Sequence, residues 1–269
     1  MIHTIALPTD FSDAGSTAFE HALRLALLNR SRLDLLHVRH PQASPQWQAF
    51  PRVREVLHRW GHLAEDAQVE DIVATTGVEV RKVDIRDDDT GEGLSNYLGE
   101  HRPDLLVMAS RGHAGLERWL KGSVSAEVVR ETLVPTLVLG PEARPFVASD
   151  TGAMEIGTVL VPVDHSPPPN GAIAQLQSLT SALQATFDFL HVGHGAPAVH
   201  NGIGESLPVR IVEGPVVETL VREAEKVSLM AMPTAGRHGF LDAIRGSTTE
   251  RLVSEVSCPV LVLPARGVS

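Results

Sequence analysis

The chain has 269 residues, 43% of them hydrophobic but only 4% aromatic, and a formal net charge of -10. That acidity argues against nucleic acid as a main partner, because binding a phosphate backbone by counterion release requires a basic face. Cys258 is the only cysteine, which excludes a disulfide framework within one chain, and no apolar run reaches the length of about 18 residues that a membrane helix needs.

The length favours two domains over one. An aliphatic, aromatic-poor core suits parallel sheets buried on both faces. The opening stretch "MIHTIALPTDFS" is too short in its apolar part to be a signal h-region, so a soluble cytoplasmic protein without membrane contact is expected.

In chain order, "TIALPTD" (4–10) reads as a strand. Phe19, Ala22, Leu23, Ala26 and Leu27 then form one helical stripe, spaced to face a sheet. "LDLLHV" is the second strand, followed by a helix over roughly 49–75, the strand "VEVRKVDI", a helix over 91–101 and the strand "DLLVMAS". A glycine stretch, a helix over 123–133 and the strand "TLVLG" complete this series. Residues 141–157 are rich in small and turn-forming residues and read as a linker.

The chain then starts over. "TIALPTDFS" at 4–12 matches "TVLVPVDHS" at 158–166, and "DLLHVRH" at 34–40 matches "DFLHVGH" at 188–194, both at an offset of 154 residues. Further along, Gly112, Gly122-Ser123 and "VPTLVLG" recur as Gly236, Gly246-Ser247 and "CPVLVLP" at an offset of 124. The second copy has therefore lost 30 residues between its second strand and its glycine stretch. Its elements are "TVLVPVD", a helix within 170–185, "TFDFLHV", "LPVRIVE", helices at 215–226 and 247–256 around "VSLMAMP", and "PVLVLP". The helix of 49–75 has no counterpart; "GHGAPAVHNGIGES" stands there instead. The expected fold is α/β: two tandem Rossmann-like domains, 1–142 and 157–269 with a linker at 143–156, each an open parallel five-stranded sheet flanked by helices.

"MASRGHAGLERWLKGS" (108–123) leaves the fourth strand of the first copy at the carboxyl edge of the sheet, where open α/β sheets bind ligands. Gly112 allows close approach of a ligand, Gly122-Ser123 opens a helix with free N–H groups, and Arg111, Arg118 and Lys121 supply positive charge. A phosphate cradle and an ordinary glycine turn both fit this stretch. Taken with "PTD" at 8–10, the pattern resembles the universal stress protein family, whose ATP-binding members carry Gly-x-x-Gly, nine residues, then Gly-Ser or Gly-Thr. Here the frame is Ala109-x-x-Gly112, residues 113–121, Gly122-Ser123, and the resemblance spans nearly the whole chain. It implies the adenine nucleotide alpha hydrolase-like form of the Rossmann fold and a stress-response regulator binding ATP, with Mg as a possible companion. Pro8, Thr9, Asp10 and Val38 would hold adenine and ribose, and Gly112, Gly122 and Ser123 the phosphates, flanked by Ala109, Arg111 and Val124. Ala109 stands where the family has its first glycine.

A weaker second site would use Asp164, Val192, Gly236, Gly246 and Ser247. Its frame begins with Pro233, which lacks an N–H, and the following "STTE" reads as a capping box in which Ser247 and Glu250 satisfy the amides a phosphate would want. Nucleotide is therefore expected mainly in the first copy. Bland roles compete elsewhere. Asp10 serves equally well as helix cap or ribose contact, and Asp164 reads as a cap. His37, His40, His191 and His194 read as solvent-facing residues at strand ends, His58 and His62 as a solvated helix face, and His113 and His238 as loop residues. No Walker A, GxGxxG, GxSxG or HExxH motif and no paired carboxylates suggest catalysis. Binding is expected, with hydrolysis at most incidental.

The last strand of each copy follows a proline and should lie at a sheet edge. The resemblance implies that these edges pair, so the two copies would form an internal pseudo-dimer, and the thinly covered second copy could dock another chain as a homodimer. Two further readings stay open: an interaction scaffold whose nucleotide sites have decayed, and a carrier of another small metabolite in the same cleft.

Overall fold

Buried aliphatic strands build the framework: "TIALP" at Thr4–Pro8 (β1) has its three central residues fully buried, as a strand covered on both faces requires. The computed structural model describes residues 2–44, 47–109, 133–166, 168–234 and 248–264. After β1 come β2 (Arg32–Arg39), β3 (Glu79–Arg86), β4 (Leu105–Ala109) and β5 (Thr136–Leu139). The second series is β6 (Thr158–Pro162), β7 (Thr186–Val192), β8 (Val209–Val212), β9 (Leu229–Thr234) and β10 (Val260–Pro264).

The strands form one sheet in the order β3-β2-β1-β4-β5-β10-β9-β6-β7-β8. Each half runs parallel and repeats the same order, with a reversal between its first and fourth strands. The halves meet where β5 and β10 pair antiparallel, Val260 opposite Val138 and Val262 opposite Thr136. The two repeats thus complete each other's edges inside a single chain. On one sheet face Val138, Val260, Val262, Val253 and Val256 join the halves in a continuous apolar cluster.

Helices cover both faces: α1 (Asp13–Asn29), α2 (Val53–Arg59), α3 (Asp71–Thr76) and α4 (Thr90–His101) in the first half, then α5 (Asn170–Leu179), α6 (Val216–Ala224) and α7 (Thr248–Glu255). The stripe foreseen on α1 faces inward: Phe19, Ala22, Leu23 and Ala26 are fully buried. Ser12 caps this helix, its Oγ accepting the Gly15 N–H at 3.2 Å, and Arg30 ends it in a left-handed conformation. Ser12→Ala should lower the unfolding free energy by about 1 kcal/mol, read from urea denaturation.

The helix expected over 49–75 is broken. A 3-10 turn at Trp47–Ala49 precedes α2, which stops before Gly61 at φ +74, and α3 resumes only at Asp71. Among the described residues the second half has no helix between β7 and β8, and Ile203 there is largely exposed, as is about half of Ile211 on β8. The stretch between the halves is built into the core: Phe146 and Val147 are buried, and Val147 bridges Met154 to close a small hairpin.

Candidate functional site

The strand order reverses between β1 and β4, and crevices form at such reversals, outside the carboxyl ends of the strands. Ile5 pairs with Leu105 and Ala6 with Leu106, so the continuing register sets Thr9 level with Ala109. Pro8 pairs with Leu36 of β2, and Val38 lies two residues further on. The topology thus gathers Pro8, Thr9, Asp10, Val38 and Ala109 along one sheet edge. Pro8, Val38 and Ala109 are half-buried, Thr9 is buried and Asp10 is exposed. Arg111, Gly112, Gly122, Ser123 and Val124 lie outside the described residues, as do Gly236, Gly246 and Ser247.

The turn after β1 is tightly determined. The Thr9 N–H donates to the Leu36 carbonyl at 2.8 Å, while Thr9 Oγ1 accepts the Phe11 N–H at 3.1 Å. Phe11 adopts φ +63, a conformation uncommon for a bulky residue. Its ring lies 4.2 Å from that of His37 and edge-on to Trp47 and Phe50, which holds it there. Asp10 Oδ1 accepts both the backbone N–H of Ser12, at 3.1 Å, and the Ser12 hydroxyl, at 2.7 Å. Asp10 therefore orients the cap instead of being the cap, and its carboxylate still reaches solvent at the crevice. Gly93 on α4 borders Val38 closely; a Cβ there would stand 3.3 Å from Val38 Cγ1 and 2.8 Å from Asp87 Cβ.

His37 was expected to face solvent. Its ring instead donates from Nδ1 to the Thr9 carbonyl at 2.9 Å, tying β2 to the turn after β1. His191 repeats this tie on the Val163 carbonyl at 3.1 Å and is buried. The recurring "LHV" at both strand ends was the available signal: a polar ring at the same register in two copies serves the same crossing. His40 and His194 are the exposed members, beside Asp88 at 3.1 Å and Glu213 at 3.3 Å. His58 donates from Nδ1 to the Leu63 carbonyl at 3.1 Å, and His62 lies beyond the end of α2. Among the described residues no group of three or more His, Cys, Asp or Glu is arranged to hold a metal ion.

The second edge differs in chemistry. Val163 replaces Thr9 and offers no hydroxyl to the turn. His165 replaces Phe11 and donates from Nε2 to the Gly195 carbonyl at 2.8 Å, strapping the turn after β6 to the loop after β7. Asp164 was read as a helix cap, but α5 begins at Asn170 with no side-chain cap. Its Oδ1 accepts the adjacent His165 N–H at 2.7 Å instead. Val192 ends β7 half-buried, and Pro233 pairs with Leu263 within the extended β9.

Away from these edges, towards the start of the second strand of each half, stand two acids, Asp34 buried and Asp188 half-buried. Asp34 is met by Arg32 at 3.1 Å and by the Tyr97 hydroxyl at 3.3 Å. Burial, and then the Asp34 charge, push the Tyr97 phenol up to about 12. Asp188 is met by Arg210, which also reaches Glu223 at 2.9 Å. These networks fasten α4 and α6 to the sheet and place no charge at the crevice.

No helix of the described residues is long and apolar enough to cross a membrane. The sequence model of the Universal stress protein family matches residues 1–140 and 196–264. A universal stress protein of Mycolicibacterium smegmatis is 24% identical, the match covering 97% of each chain. One from Thermus aquaticus is 30% identical over 52% of this chain and 99% of its own length. The crystal structure of a universal stress protein from Archaeoglobus fulgidus shares the fold, with a TM-score of 0.64 and 18% identity over 99% of this chain and 97% of that one. With its duplicated 3-2-1-4-5 strand order and these matches, the chain belongs to the universal stress protein family.

Proposed function

We propose that the chain is an ATP-binding stress-response regulator, with nucleotide held mainly by its first half. The observation that carries this reading is the crevice at the β1/β4 reversal, where Thr9, Asp10 and Ala109 share one edge with Val38 nearby. The half-buried Pro8 and Val38 suit an adenine ring, and the exposed Asp10 carboxylate suits ribose hydroxyls. Gly112 and Gly122-Ser123 follow in sequence, outside the described residues, and in this reading their N–H groups would take the phosphates, with the Arg111 charge beside them. Mg would travel with the nucleotide on its phosphate oxygens. The output in this reading is nucleotide binding.

The second half supports a weaker site. Thr9 has become Val163, His165 is spent on the Gly195 carbonyl, and Pro233 removes an N–H from the frame. The functional units in this reading are 1–142 and 157–269, and two chains assemble through the thinly covered second half. Sedimentation at twice 28.9 kDa supports that assembly, and sedimentation as a single chain removes it.

A second reading, an interaction scaffold with decayed sites, draws on Ala109, Pro233 and the shortened second half. Mass spectrometry of small molecules released from the purified, denatured protein separates the readings. Released ATP supports the proposal; another metabolite makes the protein a carrier. A chain that neither retains nor takes up nucleotide is a scaffold.

A further inference from the structure

The hairpin of residues 144–155 is fastened to the first half by one buried imidazole. Its own backbone bonds are few: Glu155 N–H to the Phe146 carbonyl at 2.9 Å, Ala148 N–H to the Ala153 carbonyl at 2.8 Å, and Gly152 N–H to the Ala148 carbonyl at 2.8 Å. His21, fully buried on α1, donates from Nδ1 to the Thr17 carbonyl at 2.8 Å. Its other nitrogen, Nε2, accepts the Phe146 N–H at 3.1 Å, and the Phe146 ring packs edge-on to the imidazole at 4.5 Å. Two outer ties complete the attachment. Trp60 Nε1 donates to the Ser149 carbonyl at 3.0 Å, and the Ser149 hydroxyl donates to Glu20 at 2.6 Å.

This arrangement works only with a neutral ring. A carbonyl accepts and an amide N–H donates, so Nδ1 must carry the proton and Nε2 must not. A second proton would set two N–H groups against each other inside an apolar core. We propose that His21 is an acid-sensitive latch, whose protonation releases the 144–155 hairpin from α1 and from Trp60 and so loosens the joint between the two halves of the chain.

Among the described residues no acid is paired with the His21 ring. On α1, Glu20 is engaged with Arg59 at 2.8 Å and with Ser149, and Arg24 is itself cationic. Arg59 and His62, from α2 and the residues after it, are also basic. On the hairpin, Arg144 donates to the Glu225 and Ser257 carbonyls, while Asp150 and Glu155 make no hydrogen bond to His21 among the described residues. Burial accordingly lowers the His21 pKa from 6.5 to about 4, with the Thr17 hydrogen bond opposing only in part. Because the folded value lies below the released one, the latch is at full strength above pH 6.5. It weakens as pH falls from there towards 4.

Hydrogen exchange of the full chain at pH 7 and pH 5, corrected for the intrinsic pH dependence of exchange, tests the latch. Opening of the 144–155 hairpin should increase on the order of tenfold at pH 5, while β1 and β2 stay protected. His21→Gln keeps an acceptor for the Phe146 N–H and does not titrate, so its hairpin should exchange at the same corrected rate at both pH values. An acid response in His21→Gln equal to that of the parent, or no response in the parent, would overturn the proposal. Should the glutamine variant leave the hairpin open at both pH values, NMR of the parent decides: the His21 ring and the Phe146 amide should share one titration midpoint, and separate midpoints overturn the latch.

Discussion

Gly122→Asp is expected to weaken ATP binding at least 30-fold, roughly 2 kcal/mol, whereas Gly246→Asp should change it less than about threefold. The first substitution sets a carboxylate beside Ser123, where the sequence pattern predicts a helix start for the phosphates, so that it would repel them and compete for the same N–H groups. In the first copy "SVSA" follows Gly122, and Ala126 leaves Ser123 without a carboxylate partner. In the second, "STTE" already places Glu250 at that position, so an added acid removes little. Titration calorimetry of both variants measures the difference. A larger loss from Gly246→Asp would move the principal site to the second half.

Gly152→Ala should cost about 3 kcal/mol of stability, made of two separable parts. The residue adopts φ +66, which charges any L side chain roughly 1 kcal/mol. A Cβ there would also overlap the Trp60 ring, whose Cγ and Cε3 are met at 2.8 Å, and overpacking of this kind costs about 1–3 kcal/mol. Gly195→Ala is the control, since φ is +73 there and nothing lies within 4 Å of an added Cβ. It should lose only about 1 kcal/mol by urea denaturation. Equal losses in the two variants would mean that Trp60 yields freely and that the hairpin is not packed against α2.

The architecture was legible because periodicity and repetition are local signals. Strands such as "TIALP" and "TVLVP" announce themselves by continuous aliphatic burial, and the 154-residue offset ties β1 to β6 and β2 to β7 without any structure. The two proline-led last strands read as sheet edges, and the family resemblance implied that they pair, as β5 and β10 do. What could not be read was every contact that depends on distance across the fold. Nothing near His21 in the sequence indicates that its ring will meet Phe146, 125 residues away. Residues 141–157 carry the composition of a linker, and only the burial of Phe146 and Val147, with the Phe146 ring against His21 of α1, makes them a core element. His37 and His191 were visible as a repeated pair, but their purpose required the carbonyls of Thr9 and Val163 to be placed beside them. The break of the 49–75 helix turns on Gly61 taking a positive φ, a choice that glycine permits and sequence does not compel. Of the site residues that the resemblance implied, Pro8, Val38 and Ala109 stand on β1, β2 and β4 at one sheet edge, and their holding of nucleotide is the proposal that binding experiments test.

The central claim is that one half of a duplicated chain holds the nucleotide. Calorimetric titration of the intact protein, stripped of small molecules, with ATP and Mg tests it most directly. Saturable binding of about one ATP per chain is expected. No binding heat together with no protection of β1 or β4 in hydrogen exchange, or two equivalent sites per chain, would contradict it.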